Sequence, residues 1–134
     1  MFRGSCLCGA VAFEADRPQE FRYCHCSRCR KSRGSAFAAN IFVQPADFRW
    51  IRGQDQVSKY RMPNTRRFGN WFCRICGSPV PREVEALNAV LVPAGSLDDD
   101  PGVRPAYHIF TGSKAPWEEI AGALPQHLEY PPQK

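Results

Sequence analysis

Three thiols stand within six residues in the run Cys24-His25-Cys26-Ser27-Arg28-Cys29. A hydrophobic core has no need of cysteines at that density. Thiols so close together cross-link, react or hold a metal ion. Zn²⁺ prefers four ligands in a tetrahedron, all supplied by protein in structural sites and left one short in catalytic ones. A C-x-C-x-x-C run therefore reads as an open zinc site, with a fourth position for water or a substrate sulfur.

Four more cysteines fall in two pairs. Cys6 and Cys8 are two residues apart, so on a regular strand both would project from one face. Taken alone, such a pair is as readily explained as core packing. Cys73-Arg74-Ile75-Cys76-Gly77 is a C-x-x-C-G turn, in which two thiols converge on one ion and the glycine permits the positive φ that such a turn uses. Seven cysteines cannot all pair as disulfides, whereas four plus three makes one filled and one open zinc site. A different partition joins Cys26-x-x-Cys29 to Cys73-x-x-Cys76 as a zinc ribbon and leaves Cys6, Cys8 and Cys24 as core or redox cysteines. Zinc stoichiometry, two per chain against one, separates the two.

The N-terminus, Met1-Phe2-Arg3-Gly4, has no charged-then-apolar leader, and no apolar run approaches the roughly 20 residues of a membrane span. We expect a cytoplasmic protein, where thiols stay reduced or bind metal. The formal net charge of +5 invites a nucleic-acid reading. Seven thiolates would remove seven charges and two Zn²⁺ would return four, which leaves +2. The basic residues are also scattered instead of lying on one periodic face, so we expect no nucleic-acid partner.

The elements that must position these cysteines are short. In 134 residues, twelve prolines and ten glycines are spread along the chain, which predicts brief strands joined by turns and few helices. Residues 5–15 read as a hairpin or bulged strand. Residues 36–43 (Ala-Phe-Ala-Ala-Asn-Ile-Phe-Val) make a buried strand, residues 48–51 another, and residues 57–62 a partner for it. Residues 87–94 read as a central strand and residues 106–110 as a further short one. Pro116 followed by Trp117, Glu118 and Glu119 predicts a helix start within residues 113–120. Residues 97–102 form an acidic turn without the ligand alternation of an EF-hand. The whole chain, 1–134, reads as a single domain with its core over residues 2–128 and a tail, 129–134, that packs irregularly or frays. Oligomeric state is not legible.

Four blocks stand together: Gly4-Ser5-Cys6-Leu7-Cys8-Gly9-Ala10-Val11, Cys24-His25-Cys26-Ser27-Arg28-Cys29-Arg30-Lys31, Phe72-Cys73-Arg74-Ile75-Cys76-Gly77-Ser78-Pro79, and Pro93-Ala94-Gly95-Ser96-Leu97-Asp98-Asp99 with His108-Ile109-Phe110 and Lys114-Ala115-Pro116-Trp117 after it. The combination resembles the glutathione-dependent formaldehyde-activating enzyme family, which includes centromere-protein-V-like members. The resemblance implies a mainly β, single-domain, β-tent-like zinc fold of short antiparallel strands with few short helices. It implies a structural zinc on Cys6, Cys8, Cys73 and Cys76, and a catalytic zinc on Cys24, Cys26 and Cys29.

It also implies a carbon–sulfur lyase that adds glutathione or a related thiol to formaldehyde or a related aldehyde, giving S-hydroxymethylglutathione. A non-catalytic thiol carrier, or a structural zinc module for a protein or chromatin partner, are the alternatives. Arg28, Arg30, Lys31 and Arg33 are the candidate contacts for glutathione's carboxylates, each equally readable as a solvated surface residue. His25 is expected beside the site or exposed. His108 is expected to be a hydrogen-bonded structural histidine, or else a general acid–base. Trp117 is expected to pack.

Overall fold

The computed structural model describes residues 1–132 and is mainly β, with one α-helix among the described residues. The first sheet has the order β1-β2-β5, with β1 Phe2–Ser5, β2 Ala12–Ala15 and β5 Phe48–Arg52, all antiparallel. The second has five strands in the order β10-β3-β4-β9-β8. Its members are β3 Glu20–Cys24, β4 Ala38–Val43, β8 Arg82–Val84, β9 Ala89–Pro93 and β10 Tyr107–Ile109. A separate ribbon pairs β6 Val57–Arg61 with β7 Gly69–Cys73. The helix α1, Ser27–Arg33, follows β3.

The five-stranded sheet separates core from site. On β4, Ile41 and Val43 join Val90 and Val92 of β9 in a core closed from the other side by Phe2, Phe13 and Ala15 of the first sheet. Side chains alternate across a strand, so the intervening residues face the other way. There Phe42 clusters with Val84, Ala89 and Leu91, and Cys24 with Cys29, Ala38 and Ile109. The register carries the pattern across strands: Cys24 lies opposite Ala38 and Ile109, Arg22 opposite Asn40, and Leu91 opposite both Phe42 and Arg82. With both faces covered, β4 and β9 read as the near-continuous apolar runs of their sequence.

Several elements differ from the sequence expectation. Of the two readings of residues 5–15 the hairpin holds, and it puts Cys6 and Cys8 in the turn between β1 and β2 instead of on a regular strand. The strand expected over residues 87–94 starts at Ala89, because residues 85–87 form a 3₁₀ turn and Asn88, at φ 47°, reverses the chain into a β8–β9 hairpin. No helix begins in residues 113–120. A 3₁₀ turn at Thr111–Ser113 ends at an extended Lys114, and the segment has no apolar stripe to bury. Trp117 is 71% exposed, so its expected packing role is overturned. The strands are not all antiparallel, since β10 runs parallel to β3. Residues 129–130 of the expected tail pack irregularly, the first of its two alternatives, at the end of a segment that begins at residue 125. It hydrogen-bonds along β10, with His108 N–H on Pro125 O at 2.9 Å, His127 N–H on His108 O at 3.0 Å and Phe110 N–H on Glu129 O at 3.1 Å. Residues 133–134 of the expected tail lie outside the described residues.

Candidate active site

The seven cysteines gather in two groups, in each of which the sulfurs all lie within 4.8 Å of one another. The first comprises Cys6, Cys8, Cys73 and Cys76. Cys6 and Cys8 come from the β1–β2 turn, Cys73 ends β7 and Cys76 sits in the turn after it. Cys8 Sγ is 3.7 Å from Cys6 Sγ and 3.8 Å from Cys73 Sγ. A tetrahedral Zn²⁺ with Zn–S bonds of about 2.3 Å sets its sulfurs about 3.8 Å apart, so the donor set fits that ion.

Backbone amides aim at the sulfurs as a thiolate site requires: Val11 N–H donates to Cys6 Sγ at 3.3 Å and Ile75 N–H to Cys73 Sγ at 3.4 Å. Gly77 has φ +78° and donates its N–H to Cys73 O at 2.8 Å, the conformation that the C-x-x-C-G spacing predicts. The Ser78 hydroxyl and amide hold the Cys76 thiol down to about 5. The group thus favours the charged form at one corner before any ion binds.

The second group is Cys24, Cys26 and Cys29. Cys24 is the last residue of β3 and buried. Cys26 is the N-cap of α1, with its Sγ accepting from Cys29 N–H at 3.3 Å. Gly34, at φ 62°, stops the helix after two turns by donating its N–H to Arg30 O at 2.8 Å. A strand end, a cap and the first helical turn thus bring three sulfurs together. The neighbouring Cys24 and Cys29 thiols hold Cys26 far down, to about 2, while Cys26 pushes Cys24 up to about 11. Three sulfurs share a space that accommodates one thiolate, which is how a metal-ready cluster behaves without the cation.

His25, between two of these cysteines, is fully buried, so the exposed alternative is excluded. Its Nε2 lies 2.8 Å from His108 Nδ1, and its backbone N–H donates to Ile109 O at 3.0 Å. The ring stacks obliquely against Phe37, at 5.1 Å between centroids. Burial pushes both imidazoles below their ordinary value and keeps them neutral. The pair ties the loop after β3 to β10.

Beside the second group opens a cavity of about 620 Å³. Cys24, Cys26 and Cys29 line it together with Phe42, Leu91 and Ile109. Its charged lining is one-sided: Arg22, Arg28, Arg66, Arg67 and Arg82, with no aspartate or glutamate among the described residues. Arg22 lies 3.6 Å from Glu20, which is outside the cavity; the other four make no salt bridge among the described residues. Arg82 donates to Arg67 O at 3.0 Å and lies 5.4 Å from the Phe68 ring. Burial and the nearby Arg33 lower its affinity for a proton. Guanidiniums collected this way are built for an anion.

Of the four cationic contacts expected from sequence, Arg28 lines the cavity and the other three do not. Lys31 is exposed, and Arg33 is outside the lining but donates to Oδ1 of Asn40, a lining residue, at 3.4 Å. The other cations of the lining are Arg22, Arg66, Arg67 and Arg82. Arg22 was legible, since it stands two residues before Cys24 on one strand and so shares its face. Arg66, Arg67 and Arg82 have no such signal, because they reach the cavity only through the packing of β8 and the loop before β7.

Comparison with known proteins adds the family. The model of the glutathione-dependent formaldehyde-activating enzyme family matches residues 1–113. The chain belongs to that family. A Halomonas elongata protein, provisionally named a glutathione-dependent formaldehyde-activating enzyme, is 31% identical over 134 residues, covering 90% of this chain and 81% of its own. The crystal structure of a Rhodobacter sphaeroides protein superposes with a TM-score of 0.58 at 34% identity, covering 77% of this chain and 91% of that one. The chain's seven cysteines form two groups able to hold metal ions.

Proposed function

We propose that the protein is a zinc-dependent carbon–sulfur lyase that joins glutathione, or a related anionic thiol, to formaldehyde or a related aldehyde. The observation that carries this reading is the three-sulfur group on the wall of a cavity lined by five arginines and no acid. Cys24, Cys26 and Cys29 would hold one Zn²⁺, and Cys6, Cys8, Cys73 and Cys76 a second, structural one. A Zn²⁺ held by Cys24, Cys26 and Cys29 would stabilise the thiolate form of an incoming thiol at neutral pH.

The chain's own residues then supply position. The guanidiniums of Arg28, Arg66, Arg67 and Arg82 take the carboxylates of the tripeptide and leave its sulfur directed at the cysteine wall. Phe42, Leu91 and Ile109 give the cavity an apolar lining that limits water beside the sulfurs. The carbon–sulfur bond forms when the thiolate adds to the aldehyde carbon, and the oxygen takes its proton from solvent. Holding sulfur beside carbonyl can lower the barrier by up to about 7–11 kcal/mol. A reducing cytoplasm suits this chemistry, and no helix of the described residues is long and apolar enough to cross a membrane.

The test compares adduct formation from glutathione and formaldehyde, with zinc content, in the wild type and in Cys26→Ser. The wild type should carry two zincs and exceed the uncatalysed rate. Cys26→Ser should carry one and fall to background. A wild type holding both zincs at the background rate sinks the lyase reading, and tight glutathione binding at that rate makes the protein a carrier.

A further inference from the structure

The family match ends at residue 113, yet one residue lining the cavity, Tyr130, comes from beyond it. Residues 125–129 run beside β10 through backbone hydrogen bonds, and this delivers Tyr130 to the cavity that Cys24, Cys26 and Cys29 line. Arg67 Nη2 donates to Tyr130 Oη at 2.7 Å. The guanidinium of Arg22 stands 5.8 Å from the Tyr130 ring and 4.7 Å from that of Phe42. Phe110 meets Tyr130 edge-on, with centroids 4.9 Å apart. A tyrosine near a chain end held by two guanidiniums and an aromatic ring is placed, although it is half exposed.

The hydroxyl's hydrogen bonding says what for. A phenol oxygen that accepts from Arg67 still has its own O–H to donate, and it has no acceptor among the described residues. Accepting from a cation also makes that O–H a stronger donor. Tyr130 Oη and the Arg67 guanidinium therefore form adjacent donors on a wall without acids, a pair suited to the two oxygens of one carboxylate.

We propose that Tyr130 is a binding residue that, with Arg67, selects thiols whose end remote from the sulfur is a free carboxylate. This rests on the lyase reading for the identity of the site, but it concerns recognition at its far wall.

The experiment uses glutathione and its glycine-carboxylate ethyl ester, with zinc-loaded wild type and Tyr130→Phe. Calorimetry gives Kd, and adduct formation with formaldehyde gives KM and kcat. The wild type should favour the acid over the ester by about tenfold or more. Tyr130→Phe keeps the ring and should lose most of that preference by weakening binding of the acid alone, with kcat, zinc content and melting temperature unchanged. The same acid-over-ester ratio in both proteins overturns the proposal, as does a wild type with no preference. A wild type that prefers the acid without accelerating the addition overturns the lyase reading and leaves Tyr130's role intact. Normal catalysis with an unchanged ratio does the reverse, and a wild type that binds neither compound overturns both.

Discussion

His25 Nε2 and His108 Nδ1 lie 2.8 Å apart in a buried pair that joins the loop carrying Cys24 and Cys26 to the parallel strand β10. One ring nitrogen donates and the other accepts, so each imidazole satisfies a polar atom of the other. Removal of one partner leaves a buried nitrogen unpaired, at a cost of about 1–3 kcal/mol. We expect His108→Ala to lower stability in urea by that amount, plus a cavity contribution, and to leave the four-sulfur group's zinc in place. Unchanged stability would mean that the pair is not a strut.

The same pair sets a pH dependence. Burial lowers the pKa of His108, so the unfolded chain binds the proton more readily than the folded one. The stability associated with neutral His108 is complete above its ordinary value of about 6.5 and declines as pH falls from there toward the folded value. Urea titrations of wild type and His108→Phe between pH 7.5 and 5.5 should therefore show a shallower decline in the variant. Parallel curves would contradict the assignment.

Cys73 has no exposed surface, and its sulfur is 3.8 Å from Cys8 Sγ, 65 residues earlier in the chain. Zinc binding at such a site is folding free energy. Cys73→Ser is expected to melt far below wild type or to fail to accumulate, whereas Cys26→Ser keeps near-native melting. A soluble Cys73→Ser with two zincs per chain would refute the four-plus-three partition.

A chelator should also separate the two groups. The three-sulfur group lines the cavity, so an anionic chelator should remove one zinc per chain first, with the far-ultraviolet circular dichroism retained. The second zinc should leave together with that signal. Loss of both in one phase from the start would contradict separate roles.

Arg82 and Lys31 offer a contrast between a cavity cation and a surface one. Arg82 lines the cavity and Lys31 is exposed outside it. Arg82→Ala should raise KM for glutathione by about tenfold or more with little change in melting, and Arg82→Lys should recover only part of it, because an ammonium lacks the planar fork. Lys31→Ala should leave KM unchanged. Equal effects would return the anion site to the helix.

How far the sequence reached differs from residue to residue. Cysteine spacing is local chemistry: a C-x-C-x-x-C run cannot spread its thiols apart, and a C-x-x-C-G turn closes on one ion wherever it sits. The buried strands β4 and β9 were legible because apolar runs of that length have few other fates. The exposure of Trp117 and the absence of a helix after Pro116 are not legible in the sequence, since helix-start residues form a helix only where tertiary packing supports it. For Cys6 and Cys8 the sequence leaves a hairpin and a bulged strand open, because alternation and a hairpin turn look alike over three residues.

By itself, then, the sequence determined the two kinds of cysteine group, the β class and the family likeness, all of which depend on residue type and short spacing. The tertiary structure alone decided which cations meet the cysteines. Arg66 and Arg67 arrive from a loop, Arg82 from β8, three places from β3 in the sheet, and Tyr130 from a tail laid along β10. Charge in a cavity is a sum over segments far apart in the chain, and only the sheet order that brings them together fixes that sum.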